Sequence, residues 1–194
     1  MNRRQRFFLR LFHRTGWKFV GEERAVQTWK DMEKCVLIVA PHTAIVDYTV
    51  GYLALLALGK KAKFLINKKF FFFPLGAILR TNGGIPVALG KNKNFLKNIT
   101  EYFAKSPRMF LVVTPEGTRK KVNRWRKGFY QIAQETGVPV LLGALDFKKK
   151  EVKLGDAFPV SGNFNADMKE INKFYAGVSG KYPKRFALHG EQLS

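Results

Sequence analysis

Cys35-Val36-Leu37-Ile38-Val39-Ala40, then Pro41-His42-Thr43-Ala44-Ile45-Val46-Asp47, then the apolar run Tyr48 to Leu58: this stretch decides how the chain folds. The first six residues read as a short strand of the buried type. The run that follows reads as an apolar helix, closed by Gly59 at a C-cap position with Lys60 and Lys61 beyond it. Strand, loop and helix in that order are the start of an α/β alternation. Pro41 favours a loop between the two elements, at the strand's C-terminal end, where ligands sit in sheets of this kind.

Working outward, the alternation continues. Ala62–Ile66 is predicted as a strand, and Ile85–Leu89 as a weaker one that Pro86 confines to an edge or a strand start. Phe95, Leu96, Ile99, Tyr102 and Phe103 recur at helical spacing. Met109–Val113 reads as strand, and Phe129, Ile132 and Ala133 lie on a helix ended by Gly137. Val138–Phe147 is a long strand that Glu151–Leu154 can pair with through the turn Lys148-Lys149-Lys150. Met168, Ile171, Phe174 and Tyr175 mark a last helix. The expected architecture is a single α/β domain over residues 1–194, with a mainly parallel central sheet flanked by helices.

At 194 residues and 46% hydrophobic composition the chain buries a core of its own and is not a disordered polymer. Lys and Arg number 35 against 14 Asp and Glu, a net charge of +21, so an anionic partner is expected: a membrane surface, nucleic acid or a phosphorylated molecule. Of the 27 aromatics 18 are Phe, and Phe interleaved with Lys and Arg is the composition of a lipid-facing surface. Residues 2–30 hold eight Lys/Arg and two acids. Within them Phe7, Phe8, Leu11 and Phe12 fall at helical spacing among Arg3, Arg6, Arg10 and Arg14, a basic amphipathic helix. Two readings stand for it: an anchor on anionic lipid, or a helix packed on the domain's own core. The single Cys35 excludes an internal disulfide framework and a cysteine-rich zinc site. Apolar runs fall short of the roughly 20 residues that span a bilayer, and Arg10 and Arg14 break the N-terminal run, which does not read as a secretory signal. The expectation is a cytoplasmic protein, peripheral on the inner face of the cell membrane.

Several chemistries find no support. Gly84…Gly90-Lys91 has five intervening residues where a phosphate-binding P-loop has four, and Asn92 where a hydroxyl would hold magnesium. Gly177-Val178-Ser179-Gly180-Lys181 fails as a nucleophile elbow at its last position. The three histidines are dispersed, and no metal site is expected. What remains is His42 five residues before Asp47. On one helix that step turns about 500°, leaving the side chains roughly 140° apart. The pair meets only if His42 stays in the loop and Asp47 sits on the first turns of the helix, where it can fix one ring tautomer and leave the other nitrogen as a general base. After the strand Met109–Val113 comes Pro115-Glu116-Gly117-Thr118-Arg119, and six of the nine residues from Arg119 to Lys127 are basic. A glycine turn bearing a hydroxyl and a guanidinium suits a phosphate. Lys68-Lys69-Phe70-Phe71-Phe72-Phe73-Pro74 places four Phe in a row, which no single core face can absorb.

In this order the segments resemble the glycerolipid acyltransferases, whose best-known members act on 1-acylglycerol-3-phosphate, and within them the small bacterial branch without transmembrane segments. Pro41-His42-Thr43 with Asp47 resembles the H-x4-D motif. Gly83-Gly84-Ile85-Pro86-Val87 resembles the second motif, Glu116-Gly117-Thr118-Arg119 matches E-G-T-R, and Val138-Pro139-Val140 resembles V-P-[IV]. The resemblance implies transfer of an acyl chain from acyl-CoA or acyl carrier protein to a lysolipid hydroxyl, with no cofactor. It implies His42 as base, Asp47 as its orienter, and an acceptor site built from Gly84, Ile85, Pro86, Glu116, Gly117, Thr118 and Arg119. The second motif usually continues after Val to an Arg; here Ala88-Leu89-Gly90-Lys91 follows Val87, and Lys91 is the substitute cation. That departure points to a second acceptor class, a lyso-aminolipid without phosphate. Two other readings stay open: a non-catalytic basic module on membrane or nucleic acid, for which the His42–Asp47 pair has no use, and a thioester hydrolase with water as acceptor.

Overall fold

The computed structural model describes residues 1–87 and 95–191. The chain runs α1 (Arg3–Arg14), β1 (Lys18–Val20), α2 (Glu23–Asp31), β2 (Lys34–Ala40), α3 (Val46–Ala57), β3 (Ala62–Asn67) and α4 (Leu75–Thr81). It continues through β4 (Gly84–Val87), α5 (Phe95–Lys105), β5 (Met109–Val113), α6 (Gly128–Thr136), β6 (Val140–Asp146), β7 (Glu151–Phe158) and α7 (Phe164–Tyr175). Seven strands form one sheet in the order β1-β7-β6-β2-β5-β3-β4. Every neighbouring pair is parallel except β6 and β7, whose antiparallel register Asp146↔Glu151 closes the lysine turn read from the sequence.

Both faces of the sheet are covered, which is why its central strands are apolar throughout. Alternate residues serve opposite layers. Val36, Ile38 and Ala40 of β2 join Met109 and Leu111 of β5 and Val140, Leu142 and Ala144 of β6 beneath α5, α6 and α7. Cys35 and Leu37 join Phe110, Val112, Leu141 and Leu145 on the other face, with Phe12 of α1, Trp29 of α2 and Val50, Ala54 and Leu55 of α3. Cys35 is thus a core residue, and burial raises its thiol far above the ordinary range.

Sequence reading did not anticipate β1, α2 or α4. β1 has three residues and exists because β7 offers an edge; α4 has seven and starts behind Pro74; α2 has no side-chain cap at Glu22. Each is held by tertiary contact more than by local preference. The grouping of Phe7, Phe8, Leu11 and Phe12 as one lipid-facing set is corrected. α1 opens with a capping box between Asn2 and Gln5, and it lies against α3. Phe12 is fully buried and stacks on Phe19 at 4.5 Å, and Phe8 packs beside the same cluster. Of the four only Phe7 and Leu11 remain exposed, because the stripe that faces the core takes only part of the helix circumference and these two fall outside it.

The two central connections turn opposite ways. From β2 the chain passes over α3 to β3, on one side of the sheet order; from β5 it passes over α6 to β6, on the other. β2 and β5 are neighbours in register Cys35↔Phe110 and Ile38↔Val113. Their C-terminal ends therefore flank the topological switch point, where an open α/β sheet leaves a crevice.

Candidate active site

The loop after β2 carries His42 across that crevice. α3 begins at Val46 with no side-chain cap from Ile45, and Asp47 in its first turn folds back in place of one. Asp47 Oδ2 accepts the backbone N–H of Thr43 at 2.6 Å and of Ala44 at 2.7 Å. The same oxygen lies 3.2 Å from His42 Nδ1. The carboxylate faces Nδ1, so Nε2 is the ring nitrogen that Asp47 does not engage. The geometry is the one that spacing demanded, with histidine in the loop and aspartate on the first helical turn. Asp47 is buried, whereas the His42 side chain keeps about a fifth of its surface, 22%, open to solvent.

Glu116 arrives from the neighbouring strand end. Its Oε1 accepts the backbone N–H of His42 at 2.8 Å, a contact across 74 residues of sequence, while its Oε2 is buried with no partner among the described residues. Burial pushes its carboxyl up to about 7, against the lowering effect of the His42 N–H and the imidazole. Glu116, which the resemblance assigns to an acceptor phosphate, is thus buried and bonded to the histidine loop. Below it, Tyr175 of α7 donates its hydroxyl to Ile38 O of β2 at 3.0 Å, fixing the strand that delivers the loop.

The turn after Glu116 needs glycine for two reasons. Gly117 has φ +64°, and a Cβ there would run into the Nε and Cδ of Arg126. Arg126 thus lies across the E-G-T-R turn, tied by its own N–H to Pro115 O at 2.8 Å. Thr118 Oγ1 accepts from Lys120 N at 3.3 Å. Neither Arg119 nor Arg126 is paired to a carboxylate among the described residues, and both are exposed. Sequence reading counted Arg126 in the basic run but gave it no place; the signal available was the need for glycine at Gly117.

The second motif lies on β4, separated from β2 by β5 and β3. Gly84 pairs with Phe64 of β3, which is in turn level with Val112 of β5. A Cβ on Gly84 would lie 2.7 Å from Leu79 O, so this glycine serves chain packing. Ile85 packs against the core and Pro86 is exposed on the edge strand. Lys91 lies outside the described residues. A segment that sequence reading left unassigned comes to the site. Tyr182 N donates to Thr43 Oγ1 at 3.2 Å, Arg185 donates to Thr43 O at 3.3 Å, and Gly180 fits where a Cβ would lie 2.9 Å from Thr43. Thr43 is fully buried beneath this strap.

Fold and site together define the class: a single-domain α/β protein whose switch point holds a histidine–aspartate pair beside a basic glycine turn. The Acyltransferase family model matches residues 17–141, more than half of the chain, and the chain belongs to that family. Among solved structures it is similar to the crystal structure of the 1-acyl-sn-glycerophosphate (LPA) acyltransferase PlsC from Thermotoga maritima. That match has a TM-score of 0.62 and 18% identity, covering 90% of this chain and 76% of that one. No curated protein matches the chain in sequence. The matched region is an acyltransferase domain. No helix among the described residues is long and apolar enough to cross a membrane.

Proposed function

We propose that the protein moves a fatty acyl chain from an acyl thioester, on CoA or acyl carrier protein, to the hydroxyl of a lysolipid, with 1-acylglycerol-3-phosphate the acceptor that best suits the cationic turn. The observation that carries this reading is the His42–Asp47 contact of 3.2 Å, made through Nδ1, at the switch point. Nε2 takes the proton of the acceptor hydroxyl as its oxygen bonds to the thioester carbonyl carbon; the C–S bond then breaks and the thiolate receives that proton back. Asp47 stabilises the transient imidazolium and Glu116 holds the loop. Arg119, with Arg126 beside it, grips the acceptor's anionic head group. The reaction takes place on the inner face of the membrane.

The departure after Val87, Ala88-Leu89-Gly90-Lys91 with no Arg, favours a second acceptor class, the lyso-aminolipids without phosphate. One experiment addresses both: incubation with acyl-CoA or acyl carrier protein and a lysolipid panel, read by mass spectrometry. Controls without acceptor separate transfer from thioester hydrolysis. His42→Ala is expected to lower kcat at least about 100-fold with its melting temperature retained. A rate above about a tenth of wild type would remove His42 as base.

A further inference from the structure

β2, β5, β3 and β4 run parallel, so their C-terminal ends share the edge that carries His42. Large apolar side chains stand uncovered there. Ile45, three residues after His42, is 73% exposed, and the β3–α4 connection presents Phe72 at 58% and Phe73 at 90%, with Ile78 on the following helix at 54%. α3 and the end of α4 are neighbours, joined by Tyr52 OH donating to Asn82 Oδ1 at 2.9 Å. Phe71 behaves differently from the two that follow it: half-buried, it has the Arg80 guanidinium 5.0 Å from its ring. The aromatic run is thus split between residues folded back and residues turned out.

The charge around these side chains has one sign. Lys68 and Lys69 are exposed on the same connection and Arg80 on the last turn of α4, Lys69 with its Nζ 5.4 Å from the Phe70 ring, and the sequence holds no Asp or Glu between Asp47 and Glu101. Exposed Phe and Ile rimmed by cations, without a single carboxylate, complements an anionic lipid leaflet. α1 is the rival surface, and its placement argues against it. Gln5 lies against Gly59 at the far end of α3, and Thr15 O accepts from Lys150 at the β6–β7 turn. α1 therefore runs along the flank of the sheet from the far end of α3 to the β6–β7 turn, and its exposed Phe7, two residues after Gln5, lies toward the far end.

We infer that the strand-end edge is the face that docks on an anionic bilayer, with Phe72 and Phe73 inserted at the headgroup boundary and Ile45 at the mouth beside His42. The docking stands on the patch itself; its consequence, that an acyl chain reaches His42 from the leaflet without crossing water, rests on the acyl-transfer reading. The test uses the full chain and sedimentation with vesicles of phosphatidylglycerol and phosphatidylethanolamine, compared with vesicles of phosphatidylcholine alone. Phe72→Ser with Phe73→Ser is expected to weaken binding to the anionic vesicles at least about tenfold, since each Phe gives up most of its apolar burial. Phe7→Ser with Leu11→Ser is expected to change it less than about threefold. Trp17, Trp29 and Trp125 are all buried, so a reporter placed by Phe73→Trp reads against a constant background. Its emission is expected to shift blue and to be quenched by brominated phosphatidylglycerol, and that of Phe7→Trp is not.

Quenching at Phe7→Trp alone would put α1 on the membrane and overturn the proposal. So would unchanged binding of the double serine variant, or a Phe73→Trp reporter that responds to an acidic carrier protein and not to vesicles. No acyl donor is present in these assays. Docking without acyl transfer on the lysolipid panel would sink the acyltransfer reading alone, and transfer without docking this one alone.

Discussion

Glu116 is a carboxyl group that the fold removes from water and sets against the backbone of the His42 loop, and its titration is expected to be visible in stability. Its ordinary value is 4.5 and burial lifts it to about 7, so between those values the folded chain holds a proton that the unfolded chain releases. Stability from this group therefore falls as pH rises across that window and is level above it. Glu116→Gln cannot titrate. Its melting temperature relative to wild type is expected to rise between about pH 5 and about pH 8; a constant difference would mean the carboxyl titrates normally. The cationic side of the crevice gives a second test. Arg119→Lys keeps the charge and loses the two-pronged guanidinium, and is expected to raise the acceptor KM at least about tenfold with a smaller effect on the donor KM. Because Arg126 lies over Gly117, Arg126→Gln is expected to add to that defect, and the double variant to exceed either single one in two-substrate steady-state kinetics.

At the scale of elements, α1 shows how one periodicity serves two surfaces. Its spacing of apolar residues was plain in the sequence, but which turn of the helix meets the core depends on α3 and β1. Phe12 is enclosed between Phe19 and the α3 layer, so Phe12→Ala is expected to cost about 3–5 kcal/mol. Denaturant unfolding measures it, and a loss under about 1 kcal/mol would return Phe12 to the surface. Removing residues 1–14 is for the same reason a change to the core as well as to the surface. The β3–α4 connection makes the complementary case: four Phe in sequence told that some had to be left out, and only the fold shows that Phe72 and Phe73 are the ones.

The whole molecule carries +21 on 194 residues, and like charges across its surface oppose compaction. Salt screens them, with a Debye length of about 8 Å at physiological ionic strength. The melting temperature is expected to rise from low to physiological salt while binding to anionic vesicles falls, two opposite responses to one charge distribution. A melting temperature that fell with salt would show that specific ion pairs outweigh the net repulsion.

The sequence by itself determined the alternation of strands and helices, the loop position of His42 and the helical position of Asp47, because these rest on local periodicity and on a spacing of five residues. It also marked Glu116 to Arg119 as a turn at a strand end. It could not say that β2 lies beside β5, since strand order is a long-range choice that no local pattern encodes, and on that choice depends the meeting of Glu116 with the His42 backbone. Glu116 and Gly84 read alike as acceptor-site residues in the sequence; only the fold shows Glu116 against the His42 backbone and Gly84 packed against Leu79. Arg126 and the strap from Gly180 to Arg185 came to the crevice unannounced. Their contacts span long stretches of chain, and such contacts are selected by packing of the finished core, which only the tertiary structure contains.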